Sequence, residues 1–131
     1  MIHSYFHWEI PQVWPTLRPY IQKAHERGCC LSMGDIYEHL CDSTMQVYTW
    51  ETPDLEAVVT TAIQDDNCHI VTASGKNFKD WIGAISYIER WAKENGCKFM
   101  IIQGRKGWSR ALGYTITGRD PLNLHIMEKP L

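Results

Sequence analysis

Between Gly104 and Gly118 the chain reads GRKGWSRALGYTITG, with Arg105, Lys106 and Arg110 set among glycines. Basic side chains beside flexible backbone are the residue types that hold phosphate, so three readings open here: a phosphate cradle, a nucleic-acid patch, or a turn between a helix and a strand. Other chemistry-bearing residues form no recognisable constellation. The hydroxyls and thiols lie in no nucleophile–base motif such as GxSxG. Cys29, Cys30, Cys41, Cys68 and Cys97 contain no CxxC pair, and the six histidines are scattered. The cysteines are therefore expected to be reduced and mostly buried, with no metal site.

Charge is divided along the chain. Residues 1–75 carry three Lys/Arg against ten Asp/Glu, while residues 76–119 carry nine against three, within a net charge of only −2. That asymmetry suits an anion site or an acidic partner, or simply a solvated helix face beside a basic turn. Length and composition (131 residues, 44% apolar, 21% charged) fit one globular domain, residues 1–131. No apolar run is long enough to span a bilayer, and the first residues lack the pattern of a secretory signal. The expectation is a protein that is neither secreted nor membrane-spanning.

The elements that must position these residues follow from periodicity. VWPTLRPYIQKAHERG (13–28) predicts a helix, with Pro15 in its first turn and Pro19 bending it. SMGDIYEHLCDS (32–43) predicts a second, with Ser32 and Asp35 resembling a capping box. MQVYTWET, LEAVVTTAI and CHIVTAS predict three antiparallel strands in a meander. NFKDWIGAISYIERWAKENG (77–96) carries an apolar stripe at helical spacing, with Asn77 as cap and Gly96 as the left-handed stop. KFMIIQG reads as a buried strand, GWSRALG as a helical turn, and YTITG and LNLHIME as closing strands. The order is α-α-β-β-β-α-β-α-β-β, an α/β (α+β) chain whose mostly antiparallel sheet holds one central βαβ crossover.

That order, together with YIERWAKENGCKFMIIQGRKGWSRALGYTITG (87–118), resembles the GNAT fold of Gcn5-related N-acetyltransferases. The passage from Gly96-Cys97 to GRKGW is similar, more narrowly, to small phage-encoded GNAT-like proteins related to podovirus internal virion protein A. The resemblance implies that GRKGWSRALGY is the turn, short helix and strand start after the fifth strand, with Trp108 and Leu112 anchored inward. It implies an acetyl-CoA site at TASGKNF, where Ala73, Ser74, Gly75, Lys76 and Asn77 would present backbone N–H groups and one ammonium to pyrophosphate. Of the family's Arg/Gln-x-x-Gly-x-Gly/Ala pattern only Gly75 remains, and an ordinary strand-to-helix turn capped by Asn77 is the competing reading. The position of the family's thiolate-protonating tyrosine is Ser109 here, a poor general acid. Tyr114 belongs in the core. Glu51, Glu56 and His69 are conceivable general bases, and their spacing does not choose among them.

The resemblance therefore implies, first, a phage virion or assembly component with a degenerate acetyl-CoA site, residing in a virion or the host cytoplasm. Its partners would be other phage proteins, with Trp8, Trp14 and Trp50 among the candidate contacts, and an oligomer stays open. The alternative is an active acetyl-CoA-dependent N-acetyltransferase. A nucleic-acid-binding module using Arg105, Lys106 and Arg110 is the weaker alternative.

Overall fold

The computed structural model describes every residue from Met1 to Leu131. A seven-stranded sheet runs in the order β1-β2-β3-β4-β5-β7-β6. The strands are β1 (Ile2–Ser4), β2 (Gln46–Glu51), β3 (Leu55–Gln64), β4 (Asn67–Gly75), β5 (Phe99–Gly104), β6 (Thr115–Arg119) and β7 (His125–Pro130). Every pairing is antiparallel except that of β4 with β5. The crossover joining those two strands is the long helix α3 (Phe78–Glu94), as the sequence predicts.

Helices cover both faces. On one side α1 (Ile10–His25) and α2 (Met33–Cys41) bury Ile10, Leu17, Ile21, Ile36 and Leu40 against Val47 and Val58 of the sheet. On the other, Trp81, Ile85, Ile88 and Ala92 of α3 pack on Tyr48, Val59, Cys68, Ile70 and Met100. Trp108 and Leu112 of the short α4 (Gly107–Leu112) lean on that second core. Tyr114 is buried within it, its hydroxyl donating to Glu89 Oε2 at 2.8 Å. Glu89 also receives Lys129 Nζ at 3.2 Å, so the buried phenol and the carboxylate are both satisfied.

Several local expectations change. A three-residue edge strand and a single 3-10 turn at His7–Glu9 precede α1, which starts at Ile10 rather than Val13. Pro11 therefore occupies the first turn, and both Pro15 and Pro19 lie inside the helix. Ser32 does cap α2, accepting from the Asp35 N–H at 3.0 Å. Asn77 does not cap α3: it sits at φ 47°, ψ 73°, with no side-chain hydrogen bond. The chain turns from β4 into α3 within two residues, and asparagine tolerates the left-handed backbone that this needs. Gly96 adopts φ 86° beyond α3, the conformation expected of the stop. The last strand begins at His125 because Asp120 holds residues 120–124 in a turn, its Oδ1 accepting from Leu122 N and Leu124 N. Only Cys68 and Cys97 are buried; Cys30 is exposed, and Cys29 and Cys41 are half-buried.

Candidate active site

The site is a parting of two strands. β4 and β5 pair from Asn67 to Ile70 against Phe99 to Ile102, and no further. Beyond that point β4 stays bonded to β3 as far as Gly75, and β5 stays bonded to β7 as far as Gly104. Each strand is held from outside, so the gap between them is fixed by the sheet's own ladders. One edge of Val71–Gly75 is left without a strand partner.

Three cavities follow this opening. A narrow one at its base, about 50 Å³, is bordered by Arg27, Val71, Thr72, Gln103 and Trp108. Toward α3 lies a cavity of about 280 Å³, walled by Ser74, Gly75, Phe78, Trp81, Trp108 and the guanidinium-bearing Arg27 and Arg105. Toward the loops on the α1–α2 side lies one of about 180 Å³, walled by Cys29, Gln64, His69, Gln103, Asp120 and Leu124 among others. A fourth pocket, about 220 Å³, sits over Ser74–Lys76 with Tyr20 and Lys23. Phe78 meets both Trp81 and Trp108 edge-on, at centroid distances of 4.8 and 5.0 Å. This aromatic wall is rigid and apolar, suited to a narrow uncharged chain.

Of the residues expected to hold a cofactor, Ala73, Ser74, Gly75 and Lys76 border these cavities and Asn77 does not. Their geometry differs from a glycine cradle. A Cβ on Gly75 would lie 2.5 Å from Ala57 Cβ and 2.6 Å from Glu56 O, so this glycine is needed for the approach of β4 to β3. The Lys76 N–H is spent on Glu56 O at 2.8 Å, which extends the ladder by one residue. The donors left are those of the first turn of α3. Asp80 N–H bonds Asn77 O, no side chain caps the helix, and the N–H groups of Phe78 and Lys79 take no hydrogen bond within the chain. The helix dipole adds to them, and Lys23 and Lys76 border the pocket over Ser74–Lys76, just before the helix begins. Trp81, bordering the same region, keeps a buried indole N–H without a partner. These features fit a ligand with a phosphate head and a narrow arm.

The candidate bases separate. His69, on β4, borders the loop-side cavity, and burial holds its imidazole below the ordinary histidine range against the pull of Asp65 and Glu128. Glu51 ends β2, accepting from Thr49 Oγ1 at 2.9 Å with His3 Nε2 at 3.7 Å, two strands from the opening. Glu56 lies on β3, where its backbone carbonyl holds Lys76. Ser109 donates its hydroxyl to Tyr114 O and borders none of the three cavities along the opening. The Cys68 thiol is pushed up to about 12 by burial, and burial also raises Cys29, so neither supplies a thiolate at neutral pH.

Arg27, Lys23, Phe78, Trp81 and Trp108 have no place in the site as read from the sequence. Arg105 was legible only as a phosphate or nucleic-acid residue. They arrive from α1 and the turn after it, α3, the β5–α4 turn and α4, and only the folded sheet brings them together.

No family model and no curated protein sequence matches the chain. Solved structures do match it along essentially its whole length. A GNAT family acetyltransferase from Elizabethkingia anophelis with acetyl-CoA bound superposes with a TM-score of 0.74 at 12% identity, covering 100% of this chain and 97% of that one. The aminoglycoside 6'-N-acetyltransferase from Enterococcus faecium gives 0.74 at 11% identity, covering 99% and 96%. The PaiA N-acetyltransferase from Thermoplasma acidophilum in complex with coenzyme A gives 0.66 at 12%, covering 100% and 98%. The likeness is one of fold: this chain has the GNAT acetyltransferase fold.

Proposed function

We propose that the protein is an acetyl-CoA-dependent N-acetyltransferase. The observation that carries this reading is the fixed parting of β4 from β5 beside the uncapped N-terminus of α3. When bound, acetyl-CoA would supply an activated thioester carbonyl. The first-turn N–H groups of α3, with Lys76 and Lys23, would hold its phosphates. The unpaired edge of Val71–Gly75 offers backbone groups to the pantetheine arm, and Phe78, Trp81 and Trp108 exclude water from it. His69 accepts the proton released by the acceptor amine as its nitrogen bonds the acyl carbon and the carbon–sulfur bond breaks. Solvent at the mouth protonates the departing thiolate, because Ser109 is engaged elsewhere.

Calorimetric titration with acetyl-CoA, desulfo-CoA and ADP tests the site. Micromolar binding that requires the pyrophosphate is the expected result. Folded protein that gives no heat at millimolar ligand overturns the reading.

A second reading keeps the virion or assembly role, and one observation favours it. Phe6 and Trp8 stack at 4.5 Å with an interplanar angle of 6° while remaining 63% and 66% exposed, a pair suited to a protein contact. No helix is long and apolar enough to cross a membrane, which agrees with either reading.

A further inference from the structure

We propose that the acceptor is a small aliphatic amine bearing a second cationic group, taken into the cavity between the α1–α2 loop and the β6–β7 loop. This rests on the transferase reading and names its substrate class.

The opening between β4 and β5 has two ends of opposite character. All the cations that border it lie toward α3 and its base: Lys23, Arg27, Lys76 and Arg105. The loop-side cavity is bordered by no lysine or arginine. Its polar groups are Gln64 from β3, His69 from β4, Gln103 from β5 and Asp120 from the β6–β7 turn. The Asp65 and Glu128 carboxylates lie close enough to act on His69. An acceptor carrying a carboxylate would enter a region with acidic groups and no positive partner, whereas an ammonium meets a favourable field.

Asp120 gives the second cation a place. Its Oδ1 is held by Leu122 N and Leu124 N, both at 2.9 Å, which fixes the carboxylate, and its Oδ2 takes no hydrogen bond within the chain. A fixed carboxylate oxygen at a cavity wall is a charge-assisted acceptor for an ammonium. His69, on another wall, would face the amine that reacts.

Size limits the class further. The cavity of about 180 Å³ lies below the usual range of pockets for drug-sized ligands, roughly 300–1,000 Å³. One side is closed by contact between the two loops. Gly28, at φ +123°, has Leu124 Cδ1 only 2.8 Å from where a Cβ would stand. A short amine fits this space, and a polypeptide running through it does not.

The test uses the full chain, with and without coenzyme A, titrated with putrescine, n-butylamine, γ-aminobutyrate and a short alanine peptide. Alkylation of the exposed Cys30, mapped by mass spectrometry, gives a second readout that needs no turnover. Putrescine is expected to bind about tenfold more tightly than n-butylamine, as one charge-assisted contact provides, and to protect Cys30. The other two should bind least. Asp120→Asn, which keeps the Oδ1 acceptor, should abolish the advantage of putrescine while leaving coenzyme A affinity intact. If that variant does not fold, Gln103→Lys should shift preference from putrescine to γ-aminobutyrate. Equal affinity for the mono- and diamine, preference for the peptide or γ-aminobutyrate, or coenzyme A binding with no amine bound would each overturn the proposal. Putrescine binding with Cys30 protection but no coenzyme A binding would instead sink the transferase reading and leave the amine cavity standing.

Discussion

The two halves of β4 have different neighbours. From Asn67 to Ile70 the strand is bonded to β3 on one side and β5 on the other; Val71 bulges out of both pairings, and from Thr72 to Gly75 the strand keeps only β3. The first half contributes Cys68 and Ile70 to the core beneath α3, with Met100 of β5 directly beside Cys68. The second half borders all four cavities and ends at an uncapped helix. One strand thus supplies rigidity at one end and unused bonding groups at the other. The closed half makes the open half possible, because it sets where the strands separate.

His69 sits one residue inside the closed half, which ends at Ile70, and borders the loop-side cavity. His69→Gln should slow acetyl transfer to the preferred amine by about a hundred- to ten-thousandfold, the usual worth of a general base. Coenzyme A affinity and folding should change little. The wild-type rate should rise with pH and level off below the pH at which an ordinary histidine finishes titrating, because burial lowers this imidazole and favours its neutral, basic form. Stability carries the same sign. The unfolded chain takes up this proton more readily, so stability is full above the ordinary histidine value and declines as pH falls toward the lowered one. A rate profile unchanged in His69→Gln would move the base elsewhere and break the assignment.

Met100→Ala tests the closed half. Met100 is fully buried, so its truncation should cost about 2–5 kcal/mol in urea unfolding. The part that stays folded should bind coenzyme A as before, because no cavity along the opening is bordered by Met100. Loss of affinity in proportion to loss of stability would show that the two halves are not separable.

The closed half was also the legible half. The β3–β4 hairpin, the apolar stripe of α3, the Gly96 stop and the burial of Tyr114 all follow from local patterns of residue type, and local patterns are what a sequence displays. β1 was not legible because three residues establish no period. The parting of β4 from β5 was not legible either. It depends on β3 and β7 pulling two strands apart, a relation between segments far apart in sequence. Gly75 shows the limit most clearly. As a residue type it marks close approach of something, and only the fold shows that the something is Ala57 rather than a phosphate. Arg27 carries no local signal at all; its role comes from where α1 ends above the opening.

Lys76 tests the open half with the smallest expected effect. It borders the pocket over Ser74 and Gly75 beside Lys23, and its side chain is exposed. Reversal to glutamate would set a like charge against any phosphate at the start of α3 while leaving its backbone bond to Glu56 O in place. The expected outcome is a coenzyme A affinity lower by about tenfold at low salt, with the unfolding midpoint unchanged. The difference should shrink as ionic strength rises, since an exposed ammonium is screened within about 8–10 Å. The helix N–H groups, being fixed dipoles at short range, should retain the binding that remains. Complete loss of binding in Lys76→Glu would mean that a single side chain, and not the uncapped helix, holds the phosphates. No loss at all would place the phosphate head at Arg27 and Arg105, in the cavity that the aromatic wall lines.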